Sequence, residues 1–220
     1  LEVNRFQDVR SSLAVSYSGI DQNFGKLYHQ TLPQYIDRLE NIVGSDLQRY
    51  TDLPPAQRLY VEQIDSFRCV RDVNPSMVAN AVVKGFLEYS EDAIQMALEQ
   101  ILDVSFHKKD WGGEGNDLYT ANVVVNGRRV ATAFVLKGNG LRRREMRIAD
   151  CGKNGDQILR LMQSPAELFV VQYVGLISEG VISYLADQVR LLNLEGKSAR
   201  YMLMDGQDTA RLLHAYGKLY

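Results

Sequence analysis

The residues best suited to chemistry lie between positions 110 and 139. A glycine-rich acidic loop carries Glu114 and Asp117, and a later apolar segment ends on Lys137. Carboxylate oxygens bind hard divalent cations, and an ammonium group stabilises negative charge on phosphoryl oxygens. Hydrolysis of a phosphodiester needs both kinds of group, because a nucleophile must be made from water while charge grows on the phosphoryl and leaving oxygens.

A β-hairpin is expected to carry these groups to one end of a two-stranded ribbon. Residues 118–125 and 129–136 have the pattern of strands, and Asn126-Gly127 separates them. This pair favours a type I′ turn, in which both central residues take positive φ. Asp117 precedes the first strand and Lys137 follows the second, so we expect the two side chains at the same end.

The remaining pattern predicts an α/β protein with a mixed central β-sheet flanked by helices. Residues 1–105 read as largely helical, including a helix at 56–67 and another that Ser90 caps. The run 166–174 is continuously apolar, as in strands buried on both faces. It is followed by a helix at 178–192 and a strand at 199–204, which together predict a parallel crossover. Helices are also expected at 156–163 and in the tail, 205–220. We place a domain boundary near residue 72, between a helical extension (1–72) and an α/β core (73–220).

Composition excludes several classes of protein. The 220 residues carry a formal net charge of −2, which argues against coating nucleic acid by charge alone but leaves room for a local basic groove. No apolar run reaches the length of a membrane span, and the first residues lack a signal-peptide core. Only Cys69 and Cys151 occur, far apart, which predicts a reducing cytoplasm and no disulfide framework. P-loop, GxSxG and HExxH motifs are absent from the sequence.

This order of elements, with an acid before the first hairpin strand and a lysine closing the second, resembles the restriction-endonuclease-like superfamily, named for its PD-(D/E)XK motif. The resemblance covers about residues 85–205 and places Asp117 at the first acid and Lys137 at the lysine of Val135-Leu136-Lys137. It implies a nuclease dependent on Mg²⁺ or Mn²⁺ that acts on nucleic acid, DNA above all. In bacteria such domains resemble components of restriction or antiphage defence.

The sequence departs from the motif at Val135, where the family has Asp or Glu. Valine cannot bind a hard cation, so another carboxylate must compensate if the protein is active. Asp156, at the start of the following helix, is one candidate, with Glu145 and Asp150 as weaker ones. Glu114 could share the metal with Asp117, and family members also suggest Glu99 on the preceding helix and Gln157 on the following one. Arg142, Arg143, Arg144 and Arg147 are expected to bind the nucleic-acid backbone, since phosphate contacts supply most non-specific affinity.

Each of these residues also has a simpler structural explanation. Asp117 is typical of a turn, Asp156 of a helix N-cap, and Lys137 of a strand that ends at solvent. Glu114, Glu99 and the arginines would then be solvated surface residues. The corresponding alternative function is a catalytically inactive member of the same fold that binds nucleic acid or a protein, with the N-terminal helices as a homo-oligomer or partner surface. A nucleotide-sensing module is a third, weaker alternative.

Overall fold

A computed structural model describes residues 56–104 and 116–219, which belong to one compact unit spanning 54–220. The predicted N-terminal helices before residue 56 and the predicted ligand Glu114 lie outside these ranges. The proposed helical extension, its boundary near residue 72 and its role as a partner surface stay predictions. The strands are β1 (Gln57–Leu59), β2 (Val82–Val83), β3 (Phe86–Leu87), β4 (Leu118–Val125), β5 (Arg128–Lys137), β6 (Glu145–Met146), β7 (Leu168–Tyr173), β8 (Leu176–Ile177) and β9 (Arg200–Met204). The α-helices are α1 (Glu91–Ile101), α2 (Asp156–Met162), α3 (Glu179–Leu194) and α4 (Gly206–Ala215).

Five strands form a central mixed sheet in the order β1-β9-β7-β5-β4. All neighbours in this sheet are parallel except β4 and β5, which form the antiparallel hairpin predicted from the sequence. Helices α1 and α2 contact β5, while α3 and α4 contact β9. The predicted architecture, a mixed sheet flanked by helices, is therefore confirmed. No described helix has the length and apolar character needed to cross a membrane.

The hairpin forms where the turn pair requires it. Asn126 and Gly127 have φ values of 50° and 74°, the positive angles of a type I′ turn. The register shifts between Thr120 and Val123, and the Ser66 hydroxyl there accepts the N–H of Val124 at 2.8 Å. Part of the outer edge of β4 is thus capped by a side chain, which blocks pairing with another strand.

The central strands owe their position to complete burial. Every residue of β7 is buried, as the continuous apolar run predicted. The strand–helix–strand order of β7, α3 and β9 is also confirmed, with β7 and β9 adjacent and parallel. Because β5, β7 and β9 run in the same direction, their carboxyl ends meet at one edge of the sheet, and Lys137 is the last residue of β5. Ligands commonly bind at this edge in open α/β sheets.

The helix predicted at 56–67 is wrong. Gln57–Leu59 instead forms the edge strand β1, parallel to β9, and two 3₁₀ helices follow at Val61–Gln63 and Asp65–Asp72. Arg211 of α4 fastens this segment to the core, since its guanidinium donates to the carbonyl oxygen of Val73 at 2.8 Å and lies 2.5 Å from Oε1 of Glu62. The segment is therefore held by the sheet and by one nearly buried arginine.

Candidate active site

Lys137 is paired with an acid that the sequence analysis did not select. Its side chain is 15% exposed, and Nζ lies 3.5 Å from Oε2 of Glu91. Glu91 is the first residue of α1, directly after Ser90, whose hydroxyl caps the helix by accepting the N–H of Ala93. An acid at this position is common because it complements the helix dipole. Because helix capping already explained an acid here, Glu91 was not predicted as a site residue from the sequence.

The close approach of β5 to α1 depends on Gly138. A Cβ atom at this position would lie 2.2 Å from the backbone nitrogen of Glu91, closer than any side chain can be placed. The next residue fixes the contact, because the N–H of Asn139 donates to the carbonyl oxygen of Tyr89 at 2.8 Å. The glycine after Lys137 therefore allows the strand end to meet the start of the helix, and it brings the lysine to Glu91.

Asp117 is held beside the same strand. Its N–H donates to the carbonyl oxygen of Phe134 at 2.9 Å, and its Oδ2 accepts the N–H of Leu136 at 2.6 Å. The carboxylate is thus bound to the backbone one residue before Lys137. The predicted convergence of Asp117 and Lys137 at one end of the hairpin is what the structure shows.

The two acids and the lysine interact electrostatically. Burial raises the pKa of Glu91 above its usual value; the positive charge of Lys137 opposes this rise, and the negative charge of Asp117 adds to it. The negative charges of the two carboxylates therefore oppose each other at a partly buried site, where the ammonium of Lys137 attracts Glu91. A divalent cation would relieve this repulsion.

A buried polar chain supports the end of the lysine strand. The N–H of Lys137 donates to Oε1 of Gln172, which is completely buried in β7. The Gln172 amide donates to Oγ1 of Thr209 at 3.1 Å, and that hydroxyl donates to the carbonyl oxygen of Asp205 at 2.7 Å. A buried amide is costly unless its groups are bonded. This chain bonds both ends of the amide and links the site to the start of α4.

An open cleft of about 550 Å³ lies at Glu91 and Lys137, and we call it the lysine cleft. Glu91, Lys137, Asp150 and Gln157 are among its lining residues. Asp150, a weaker candidate in the sequence analysis, also pairs with Arg143 at 3.3 Å. Gln157 lies on α2 and reaches the cleft, and the role that the resemblance implies for it stays a prediction.

The chain matches no protein-family model, no curated protein and no solved structure. The mixed α/β architecture is a property of the structure itself, whereas the restriction-endonuclease-like resemblance continues to rest on the motif residues and the order of the elements. Asp117 and Lys137 carry that resemblance, and Glu91 adds an acid on the helix before the hairpin.

Other predicted metal ligands lie elsewhere. Glu99 is on α1, eight residues and about 12 Å along the helix axis from Glu91, and it is buried with Oε1 accepting from the Gln95 amide. Asp156 is the first residue of α2, after Gly155 at the N-cap, and its Oδ2 lies 3.6 Å from Arg160. Neither is among the residues that line the lysine cleft, and the same is true of Asp117. Lys137 forms its ion pair with Glu91, and Oδ2 of Asp117 accepts the N–H of Leu136, one residue before the lysine.

The predicted phosphate-binding arginines divide into two groups. Arg142, Arg143 and Arg144 line a second cleft of about 680 Å³, which we call the basic groove and which shares Asn139 and Gly140 with the lysine cleft. Arg147 does not line it; its backbone N–H donates to Oδ2 of Asp150 instead. Three consecutive arginines therefore border the candidate site directly.

The residues around Lys137 offer few ligands for the Mg²⁺ or Mn²⁺ ion that the resemblance implies. Mg²⁺ is usually held through one or two carboxylates, with waters and substrate phosphates completing its shell. Glu91 and Asp117 are two carboxylates close enough for the charge of Asp117 to raise the pKa of Glu91. Across residues 56–104 and 116–219, no group of three or more His, Cys, Asp and Glu side chains is arranged to hold a metal.

Proposed function

We propose that this protein is a metal-dependent nuclease of restriction-endonuclease-like fold that hydrolyses phosphodiester bonds in nucleic acid, DNA above all. The observation that carries the proposal is the meeting of Glu91, Asp117 and Lys137 at one edge of the sheet. Titratable groups that perturb one another in a cleft are typical of catalytic sites. The adjoining arginines supply positive charge suited to a phosphate backbone.

In the proposed reaction a water molecule attacks the phosphorus atom and the P–O bond to the leaving oxygen breaks; the attacking water loses a proton to solvent, and the leaving oxygen takes one up from solvent. Glu91 and Asp117 would hold the divalent cation, which supplies charge neutralisation and a more acidic bound water. Lys137 donates a hydrogen bond to a phosphoryl oxygen and stabilises the charge that grows there. The bond from Asp117 to the Leu136 N–H fixes one carboxylate relative to the lysine. The backbone of Lys137 is held by Gln172.

A second function, binding without cleavage, is favoured by one specific observation. Val135 stands where the family has an acid, and it is completely buried. The protein would then bind nucleic acid in the same clefts. For either function, both cysteines are free thiols, which supports the proposal of a reducing, cytoplasmic setting.

Plasmid cleavage distinguishes the two functions. With Mg²⁺ or Mn²⁺ we expect nicking or linearisation that EDTA prevents, and we expect Glu91→Gln, Asp117→Asn and Lys137→Met each to lower the rate by about 100-fold or more. Glu179→Gln is the matched control, because Glu179 also begins a helix directly after a serine and is exposed. It should cleave like the wild type.

The contrary outcomes are equally clear. Intact plasmid under every metal condition, together with retained DNA binding, would favour the binding module. Cleavage that survives all three substitutions would place the active site elsewhere and refute the proposed roles of Glu91, Asp117 and Lys137.

A further inference from the structure

The basic groove is built from two separate segments of the chain. Arg142, Arg143 and Arg144 come from the stretch after β5, while Lys84 comes from the turn between β2 and β3. Lys84 is exposed and has a φ of 54°, followed by Gly85 at 78°. Four basic residues and one acid, Glu88, thus line one groove on a chain whose formal net charge is −2. Such a concentration attracts phosphate groups.

Tyr173 joins the two walls of the groove, which are the β2–β3 hairpin and the stretch after β5, to the strand end that carries Lys137. It is the Cα partner of Lys137 in the parallel pairing of β5 and β7. Its ring lies edge-on to that of Phe86 in the β2–β3 hairpin, with 6.3 Å between the ring centroids. Its hydroxyl donates to the carbonyl oxygen of Arg143. The two walls therefore share one buried anchor at the edge of the lysine cleft.

Backbone contacts hold the walls in place further. The N–H of Leu87 donates to the carbonyl oxygen of Val174 at 2.8 Å, and the carbonyl oxygen of Arg144 accepts the N–H of Leu176 at 2.6 Å. Gly175 permits the second contact, because a Cβ there would lie 2.4 Å from the Arg144 oxygen. The arginines are mounted on a fixed backbone, so less conformational entropy is lost when they bind a ligand.

We propose that the basic groove binds the phosphate backbone of the nucleic-acid strand that enters the lysine cleft, with Lys84 as the phosphate-binding residue of the β2–β3 wall. The inference rests on the proposed function in taking the lysine cleft as the site of cleavage. Asn139 and Gly140 line both clefts, and a Cβ at Gly140 would meet no atom within 4 Å. The passage from one cleft to the other is therefore open at this glycine.

A binding experiment without cleavage tests the inference. Fluorescence anisotropy with a labelled 20-base-pair duplex is measured in EDTA over a range of salt concentrations. Removing one phosphate contact by Lys84→Gln is expected to weaken binding roughly 5–10-fold at about 0.1 M salt and to reduce the slope of log K against log salt by about 0.9. Arg144→Gln should have an effect of similar size.

Lys197→Gln is the matched control. Lys197 is an exposed lysine just before β9, at the opposite edge of the sheet from Lys137, and should bind like the wild type. If both Lys84→Gln and Arg144→Gln keep the wild-type affinity and salt slope, the proposal that the groove binds phosphate is refuted, even if the plasmid is cleaved. If these variants lose binding as expected but the wild type does not cleave the plasmid, phosphate binding by the groove is supported and the nuclease function is rejected.

Discussion

Asp208 is expected to make the stability of the fold depend on pH. It lies on α4, and its Oδ1 is 3.4 Å from the Arg211 guanidinium. Burial raises the pKa of Asp208 from 3.8 to about 6; Asp205 and Glu62 add to the rise, and Arg211 and Arg58 oppose it. Charging this carboxyl therefore costs more in the folded protein than in the unfolded chain.

The sign and size of the effect follow from proton linkage. Between pH 3.8 and about 6 the folded state binds more protons at Asp208, so the free energy of unfolding falls as pH rises through this window. Above it the cost is fully present, and it amounts to about 3 kcal/mol at about 1.4 kcal/mol per pH unit. From pH 4 to pH 7 the loss attributable to this group is about 2 kcal/mol.

Urea denaturation at pH 4, 5, 6 and 7 measures the effect. Asp208→Asn keeps the shape and removes the titration, so its stability relative to the wild type should increase from pH 4 to pH 7 by about 2 kcal/mol. Asp187→Asn, which removes a half-exposed acid paired with Arg190, is the control and should follow the wild-type profile. If the Asp208→Asn curve ran parallel to that of the wild type, the assignment of this pH dependence to Asp208 would be refuted.

Two further predictions concern packing. Gly138→Ala should lower the free energy of unfolding by roughly 1–3 kcal/mol and abolish cleavage, because the new Cβ collides with the Glu91 backbone. Gly140→Ala is the control and should alter stability little, since a Cβ there meets no atom within 4 Å. Equal stability of the two variants in urea denaturation would contradict this prediction. Arg211→Ala should cost about 3 kcal/mol, since it leaves backbone carbonyls without their donor, against less than about 1 kcal/mol for the exposed Arg190→Ala. Similar losses in the two arginine variants would refute that comparison.

The parts of the fold predicted correctly are those whose signals are local. The type I′ pair Asn126-Gly127 and the apolar run now seen as β7 each determine an element within about ten residues. The strand β1 was missed because three residues show no periodicity, and its partner Arg200–Met202 lies far along the chain. A helix was predicted there, but non-local pairing overrides local propensity at such positions.

The site was predicted in part for the same reason. Asp117 and Lys137 lie on one hairpin, so the turn alone brings them together. Glu91 reaches the lysine only through the contact of Gly138 with the start of α1, and a single glycine after a strand does not announce such a contact. Glu99, which was predicted instead, shares the helix with Glu91 but lies two turns farther along it.

The burial of Lys137 bears on the simplest structural explanation of that residue. A lysine that merely ends a strand would extend its ammonium into solvent, which avoids the cost of dehydrating a charge. Here the side chain is only 15% exposed and faces Glu91, and the neighbouring Cys151 thiol has its pKa raised by burial to about 11 in spite of the lysine's charge. A smaller polar residue would end the strand at lower cost. The pairing with Glu91 accounts for the position of the ammonium in the structure, and a negatively charged ligand in the cleft stays a proposal.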